Sequence, residues 1–175
     1  AKGPWGRILV PDMPGFGYSL VPEADVKRLN LDDGARFLSI LIEQSCSKGA
    51  FVVGNSLGGW IACLSLQRNP EGVLGALLLS PAGFMSPEEL RQAGDLFAHP
   101  DAQKFAQACL PDAPFLVRRA ARRLMAPVLE SDVVQSFVRL DSRDHLLVPG
   151  ALAGFEHRLR ILWGRRDGIL PQSCL

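Results

Sequence analysis

Ser56 stands at the centre of the pattern Gly54-Asn55-Ser56-Leu57-Gly58, the part of this 175-residue chain best suited to chemistry. Glycines on both sides let a strand and a helix approach without Cβ clashes, so the serine can take a strained conformation with its hydroxyl exposed. The amide of Leu57, at the start of the expected helix, can donate to an oxyanion on a substrate. The pattern therefore predicts a nucleophilic serine. The alternative is a glycine-rich turn in which Ser56 only caps the helix.

Asp167 is the second candidate, because it follows the apolar run 158–164 that predicts a strand. An aspartate in such a place commonly caps a turn, and it can also orient a histidine through a hydrogen bond. In parallel sheets, ligands bind at the carboxyl ends of the strands. Ser56 and Asp167 both follow predicted strands, so we expect them at the same edge of one sheet.

Several other kinds of site are excluded by residue type and spacing. A phosphate loop requires Lys and then Ser or Thr after its last glycine, whereas Trp60 follows Gly58-Gly59 here. The cysteines form no C-x-x-C pair, which argues against a zinc site or a disulfide scaffold and favours a reducing compartment. We predict neither a metal nor a cofactor. The four cysteines are Cys46, Cys63, Cys109 and Cys174.

The charge balance is nearly neutral, with 19 Lys and Arg against 18 Asp and Glu. No global field attracts nucleic acid or anionic lipid, so a small-molecule substrate is the expected partner. No apolar run approaches the roughly 18 residues of a membrane span. We predict a cytoplasmic protein, although the start at Ala1 is consistent with a processed or incomplete N-terminus.

The elements that must position Ser56 and Asp167 alternate along the chain. Apolar runs predict strands at 7–12, 50–53, 75–80 and 158–164. Asn30 predicts the N-cap of a helix that ends before Gly49, and a second helix is expected between Ser56 and Pro70. This order predicts an α/β fold with a mostly parallel sheet that helices cover on both faces.

Residues 86–150 have a different sequence pattern from the rest of the chain. Ser86-Pro87-Glu88-Glu89 has the composition of a helix start, and amphipathic helical pieces broken by prolines follow it. We predict two units: a core formed by residues 1–85 and 151–175, and a helical cap formed by residues 86–150.

Four stretches in this order resemble the α/β-hydrolase superfamily, and the resemblance covers nearly the whole chain. Each resembles the end of one of the family's strands four to seven, and the insertion has the position of the family's cap. The stretches are residues 12–19 (DMPGFGYS), 54–59 (GNSLGG), 79–83 (LSPAG) and 163–167 (WGRRD), the last followed by Pro171. Among subfamilies, the chain is most similar to carbon–carbon bond hydrolases that act on meta-cleavage products; esterases and lipases share similar motifs.

The resemblance implies a role for each candidate. Ser56 is the nucleophile of a serine hydrolase, the Leu57 amide belongs to the oxyanion hole, Gly54 and Gly58 shape the nucleophile elbow, and Asp167 orients a histidine. A serine at this position disfavours dehalogenase and epoxide hydrolase chemistry, which uses a carboxylate nucleophile in this superfamily. An ester or a C–C bond of a small carbonyl substrate is the expected target.

The catalytic histidine is missing from the expected place. The family order is Ser, acid, His, but all three histidines, His99, His145 and His157, precede Asp167. We interpret the chain as an internal, inactive piece of a longer enzyme that begins at the family's fourth strand. In a compact structure, residues 7–12 are then expected to pair directly with the strand at 50–54. The competing hypothesis is a non-catalytic module that binds a ligand or serves as a scaffold.

Two clusters in the predicted cap leave alternatives open. The first cluster consists of four arginines that place like charges on one side of a helix. Such a side is either a solvated face or a site for an acidic substrate. The phenylalanines either line a pocket or pack against the core. The clusters are Arg118, Arg119, Arg122 and Arg123, and Phe97, Phe105, Phe115 and Phe137.

Overall fold

A three-stranded parallel sheet lies at the centre of the computed structural model, which describes residues 6–98, 101–139, 145–147 and 150–170. Its strands are β1 (Ala50–Asn55), β2 (Val73–Leu79) and β3 (Leu159–Leu162), in that spatial order. Val53 lies opposite Leu77, which in turn lies opposite Arg160. The predicted α/β fold with a parallel sheet is confirmed.

Two helices pack against one face of this sheet. They are α2 (Leu31–Ser45) and α3 (Leu57–Arg68), which a short helix α1 (Glu23–Val26) precedes. Asn30 is the N-cap of α2, as predicted, and forms a reciprocal capping box with Asp33. The core between helices and sheet contains fully buried aliphatic side chains, among them Ala35, Ile61, Leu66, Val73 and Leu78.

Four further helices lie between β2 and β3. They are α4 (Pro87–Ala98), α5 (Ala102–Cys109), α6 (Phe115–Leu129) and α7 (Asp132–Arg139), and a 3₁₀ turn at Glu156–Arg158 precedes β3. Ser86 and Glu89 form the capping box of α4, at the place where their composition predicted a helix start. These helices fall within the predicted cap, while the division into two domains stays a prediction. Across the described ranges, no helix is long and apolar enough to cross a membrane.

The prediction that residues 7–12 form a strand paired with β1 is wrong. Residues 6–13 form neither helix nor strand, and Val10 is 90% exposed. The loop that follows is folded on itself, because Asp12 accepts bonds from the Tyr18 amide and, at its carbonyl, from the Ser19 hydroxyl. Phe16 of this loop stacks on Phe137 of α7 at 6.2 Å. An apolar run gains little as a strand without a partner for its backbone groups.

The expectation of helices on both sheet faces is also wrong for the described residues. Phe51 and Val53 alternate with inward-facing residues of β1, and they are 80% and 66% exposed. Leu162 of β3 is exposed on the same face, in line with Leu79 and Asn55. The sheet is therefore packed on the side of α2 and α3 and open on the other.

Candidate active site

Ser56 occupies a sharp turn between β1 and α3, where its backbone has φ 51° and ψ −119°. A positive φ is uncommon for any residue with a Cβ and persists only where the surroundings hold it. The Ser56 amide donates to the Leu79 carbonyl (3.0 Å), and the Ser56 carbonyl accepts from the Gly59, Trp60 and Ala82 amides at 3.0 to 3.2 Å. Its backbone is therefore tied to the strand, the helix and the segment after β2.

The Ser56 side chain makes no capping hydrogen bond to α3, although Ser56 is the residue that precedes the helix. The interpretation of Ser56 as a simple helix cap is therefore not supported. The Leu57 amide opens α3 and, like the other first-turn amides of a helix, has no acceptor within the helix. The positive end of the helix dipole also points to this turn.

The glycines around the turn differ in what they contribute. A Cβ on Gly54 would lie 2.5 Å from the Gly58 carbonyl oxygen, so this position requires glycine. An added Cβ on Gly58 meets no heavy atom within 4 Å, which corrects the steric role expected for that residue. Gly59 has the second close approach, with its added Cβ 2.7 Å from the Pro81 Cβ. Sequence reasoning missed Gly59 because Pro81 lies 22 positions away.

Ser80 connects the ends of β2 and β3, and sequence reasoning had not singled it out. Its backbone also has a positive φ, 38°. The Ser80 amide donates to the Leu162 carbonyl (2.8 Å), and the Gly164 amide donates to the Ser80 hydroxyl (3.3 Å). The carboxyl ends of all three strands therefore meet at one edge, where Ser56, Ser80 and Asp167 follow β1, β2 and β3.

Asp167 lies in the loop after β3 and caps the turn that follows it. Its Oδ1 atom accepts from the Ile169 amide (3.0 Å) and the Leu170 amide (2.9 Å). One carboxylate oxygen of Asp167 therefore caps a turn, as the alternative interpretation of this residue predicted. Asp167 is half-buried and lines the same cavity as Ser56, so the two candidates are at the same edge, as predicted.

A cavity of about 1210 Å³ extends from the strand ends to the four helices between β2 and β3. Most of its lining is apolar. Phe97, Phe105 and Phe137 line the cavity, and Phe137 also belongs to the buried core, so both predicted alternatives apply, whereas Phe115 is exposed. Phe97 and Phe105 meet edge to face at 5.3 Å. The remaining apolar lining includes Phe16, Trp60, Leu90, Met125, Val128 and Leu170.

Contacts to α5 and to the segment after it hold the Asp167 loop. The Gly168 amide donates to the Ala108 carbonyl (3.2 Å), and the Arg166 guanidinium pairs with the Asp112 carboxylate. Burial, and then the Asp167 charge, raise the pKa of Cys109 at the end of α5. The position of Asp167 therefore depends on the helices of the predicted cap.

Arg91 and Asp95 on α4 line the cavity and form a charged cluster with Glu88 of the same helix. Arg91 donates to Glu88 (2.7 Å) and Asp95 (3.3 Å). Hydrogen bonds from Arg91 and Gln92 lower the pKa of Glu88 to about 2. The Arg91 charge is thus compensated by its own helix.

The described histidine lies away from the strand ends. His145 Nδ1 is 4.0 Å from Asp32 on α2, and its backbone carbonyl accepts from Trp60 Nε1 (2.8 Å). His99 and the side chain of His157 lie outside the described residues. Within the described ranges, no histidine lines the cavity, and no three His, Cys, Asp or Glu residues cluster as metal ligands.

Known proteins share this sequence and this arrangement of elements. A family model described as the alpha/beta hydrolase fold matches residues 7–153. A 2-hydroxymuconate semialdehyde hydrolase from Pseudomonas sp. strain CF600 is 42% identical over 186 residues, covering 94% of this chain and 61% of the relative. Lipase 1 of Psychrobacter immobilis is 22% identical over 183 residues, covering 97% of this chain and 56% of the relative.

Solved structures agree on the fold. A meta-cleavage product hydrolase from Pseudomonas fluorescens IP01 superposes with a TM-score of 0.71 at 21% identity, over 94% of this chain and 63% of that one. This chain thus spans less than two thirds of the length of these relatives. The match over residues 7–153, the parallel sheet and the strand-turn-helix at Ser56 together show that the chain belongs to the α/β-hydrolase fold family.

Proposed function

We propose that the full gene product is a serine hydrolase in which Ser56 attacks the carbonyl carbon of a small substrate. The observation that carries this proposal is the strained Ser56 backbone, φ 51°, at a helix N-terminus and at the wall of the cavity that Asp167 also lines. Strain of this kind is maintained where function requires a particular side-chain direction. The Ser56 side chain is not used to cap α3 and is free to react.

In this mechanism, the Ser56 hydroxyl oxygen bonds to the carbonyl carbon and its proton passes to a histidine base. The Leu57 amide donates to the oxyanion that forms. The base then protonates the leaving group, and water hydrolyses the acyl-enzyme. Because Asp167 Oδ1 already accepts two amides, Oδ2 is the atom that would orient the base. In the family order the base follows the acid, and residues 168–175 contain no histidine, so residues 1–175 alone are expected to be inactive.

The substrate is proposed to carry an apolar group, since aromatic and aliphatic side chains dominate the cavity. Similarity to the 2-hydroxymuconate semialdehyde hydrolase favours cleavage of the C–C bond of a vinylogous diketone acid. Similarity to Lipase 1 keeps ester hydrolysis as the second reaction. Both reactions begin with attack of a serine on a carbonyl carbon.

The test compares the full gene product with its Ser56→Ala and Asp167→Asn variants on an aryl ester and on a meta-cleavage product. Loss of one triad member typically lowers kcat by about 10⁴ to 10⁶. Ser47→Ala, at an exposed serine after α2, is the matched control and should keep full activity. Equal turnover by wild type and Ser56→Ala would rule out the proposed nucleophile.

The competing function is a non-catalytic binding or scaffold module. Its supporting observation is that no described histidine lines the cavity. The gene sequence beyond Leu175 discriminates the two: a histidine in a loop downstream supports the enzyme, whereas a natural stop codon after Leu175 supports the module.

A further inference from the structure

The outer surface of α6 is apolar although it faces away from the protein. Leu116, Ala120 and Leu124 repeat at a spacing of four residues, which aligns them along one side of the helix. Leu116 is 74% exposed and Leu124 73% exposed, and Val117 and Val128 lie beside them and are also exposed. We call these five residues the outer face of α6. Contiguous exposed apolar side chains mark a site of interaction.

Arginines border this face along its length. Arg119 and Arg123 are exposed and form a second row with a spacing of four, next to the row of Leu116, Ala120 and Leu124. Arg122 is also exposed, and Arg118 donates to the Pro111 carbonyl (3.2 Å). Residues 115–129 contain no Asp or Glu, so α6 has no acid of its own to neutralise them.

The nearest acids in sequence leave a positive excess. Asp112, before α6, pairs with Arg166, and Glu130 directly follows the helix. Asp101, before α5, is near Arg122: the Lys104 amide and, more weakly, the Arg122 charge lower its pKa. Arginines beside an apolar strip are typical of helices that lie in the plane of a membrane surface. The net charge of the whole chain is only +1, so an attraction to an anionic surface has to come from this local group of arginines.

The inner side of α6 connects the outer face with the cavity. Leu129 is fully buried, and Met125 lines the cavity. Val128 and Leu110 line the cavity and are also partly exposed, so the apolar lining continues to the surface beside the outer face. A ligand dissolved in an apolar layer against α6 would thus meet the mouth of the cavity.

We propose that the outer face of α6 lies on an anionic phospholipid surface, with its apolar row in the acyl boundary and Arg119 and Arg123 among the headgroups. A second copy of the chain fits the charges less well, because an antiparallel two-fold contact through this face places the arginine rows of both copies on the same side, and α6 has no acid to separate them. The proposal does not depend on the reaction at Ser56. It requires only that α6 remains on the outside of the full gene product.

The experiment is flotation of the full gene product with vesicles of phosphatidylcholine alone or with about 30% phosphatidylglycerol. We expect binding only with the anionic lipid, and release at about 1 M NaCl, where the Debye length is about 3 Å. Leu116→Asn/Leu124→Asn and Arg119→Gln/Arg123→Gln should each weaken binding about tenfold or more. All four positions are exposed, so the variants should fold like the wild type, which circular dichroism verifies.

Matched controls carry the same changes at exposed positions elsewhere. Ile8→Asn/Leu20→Asn removes equally exposed apolar side chains, and Arg28→Gln/Arg36→Gln removes the same charge. These variants should bind like the wild type. In addition, the tryptophan emission gained in Leu124→Trp should shift to shorter wavelength on anionic vesicles, whereas that gained in Leu20→Trp should not.

Three results would overturn the proposal. The first is no flotation with anionic vesicles at low salt. The second is flotation that the outer-face variants leave unchanged. The third is a concentration-dependent dimer in sedimentation that Leu124→Asn dissociates, which would assign the face to a second copy.

Discussion

The turn at Ser56 and the loop at Asp167 lie at the same edge of the sheet but are held in different ways. Core backbone fixes Ser56, through bonds to Leu79 and Ala82 and through the contact of Gly54 with Gly58. The Asp167 loop has one bond from Gly164 to Ser80, further contacts with Ala108 and Asp112, and Leu170 buried in the main core. The core therefore sets the position of the proposed nucleophile, whereas the helices between β2 and β3 contribute, together with the core, to the position of the proposed acid.

Gly54→Ala should produce the largest change, because its Cβ would lie 2.5 Å from a backbone oxygen that cannot rotate away. We expect a loss of about 3 kcal/mol or more in the free energy of unfolding. Gly58→Ala is the matched control. It meets open space at the start of α3, and alanine favours a helix interior over glycine by up to about 1 kcal/mol. Urea unfolding of the full gene product measures both.

Equal changes in the free energy of unfolding in Gly54→Ala and Gly58→Ala would contradict this prediction. A Gly54→Ala protein with wild-type stability would show that the turn relaxes at little cost. In that case, core packing would not be what fixes Ser56.

Gly168→Ala should have a smaller and more local effect. The added Cβ would lie 3.0 Å from the Ala108 carbonyl oxygen, so the loop must shift by a few tenths of an ångström. We expect a loss of about 1 kcal/mol in stability and about tenfold in kcat, with KM unchanged, since the role proposed for Asp167 is to orient the base rather than to bind the substrate. Steady-state kinetics of the full gene product measures the effect.

Gly164→Ala is the control on the same loop, because its added Cβ has its nearest neighbour at 3.7 Å. It should keep kcat close to the wild-type value. A larger loss in Gly164→Ala than in Gly168→Ala would mean that the link to Ser80, rather than the contact with α5, positions the acid.

The distance in sequence between a residue and its contact partners explains what the sequence could predict. The capping pairs Asn30/Asp33 and Ser86/Glu89 lie within four residues of each other, and the turn at Ser56 has its glycines close by. Local patterns of this kind contain their own partners, so they were predictable. Residues 7–12 have the composition of a strand, but a strand needs a neighbour that the pattern does not name. Likewise, the spacing of α6 predicts an amphipathic helix without telling which side faces inward.

The Arg166–Asp112 pair should contribute least to stability of the contacts at the Asp167 loop. Both side chains are mostly exposed, and exposed ion pairs typically contribute about 0 to 1 kcal/mol. A double-mutant cycle with Arg166→Gln and Asp112→Asn should give a coupling energy in that range, which decreases as salt is added. A coupling above about 2 kcal/mol would show that the pair, and not the Gly168 amide, anchors the loop.

The smallest expected effect is the change in stability with pH that comes from Glu88 on α4. Arg91 and Gln92 donate to the Glu88 carboxylate and lower its pKa to about 2, from an ordinary value of 4.5. A lowered folded pKa means that the ionised form is favoured in the folded state. The resulting stabilisation is present above pH 4.5 and is lost as the pH falls towards 2. Since Glu88 is exposed, solvent screens the interaction, and the change in melting temperature across this window should be slight.

The pKa itself is the sharper readout, and NMR titration of the Glu88 side-chain carboxyl measures it. Arg91→Gln should return the midpoint towards 4.5, because it removes the first donor to the carboxylate. Arg36→Gln, on α2, should leave it unchanged. A midpoint near 4.5 in the wild type would mean that Arg91 does not hold Glu88 in solution; only Asp95 would then compensate the Arg91 charge at the cavity that it lines.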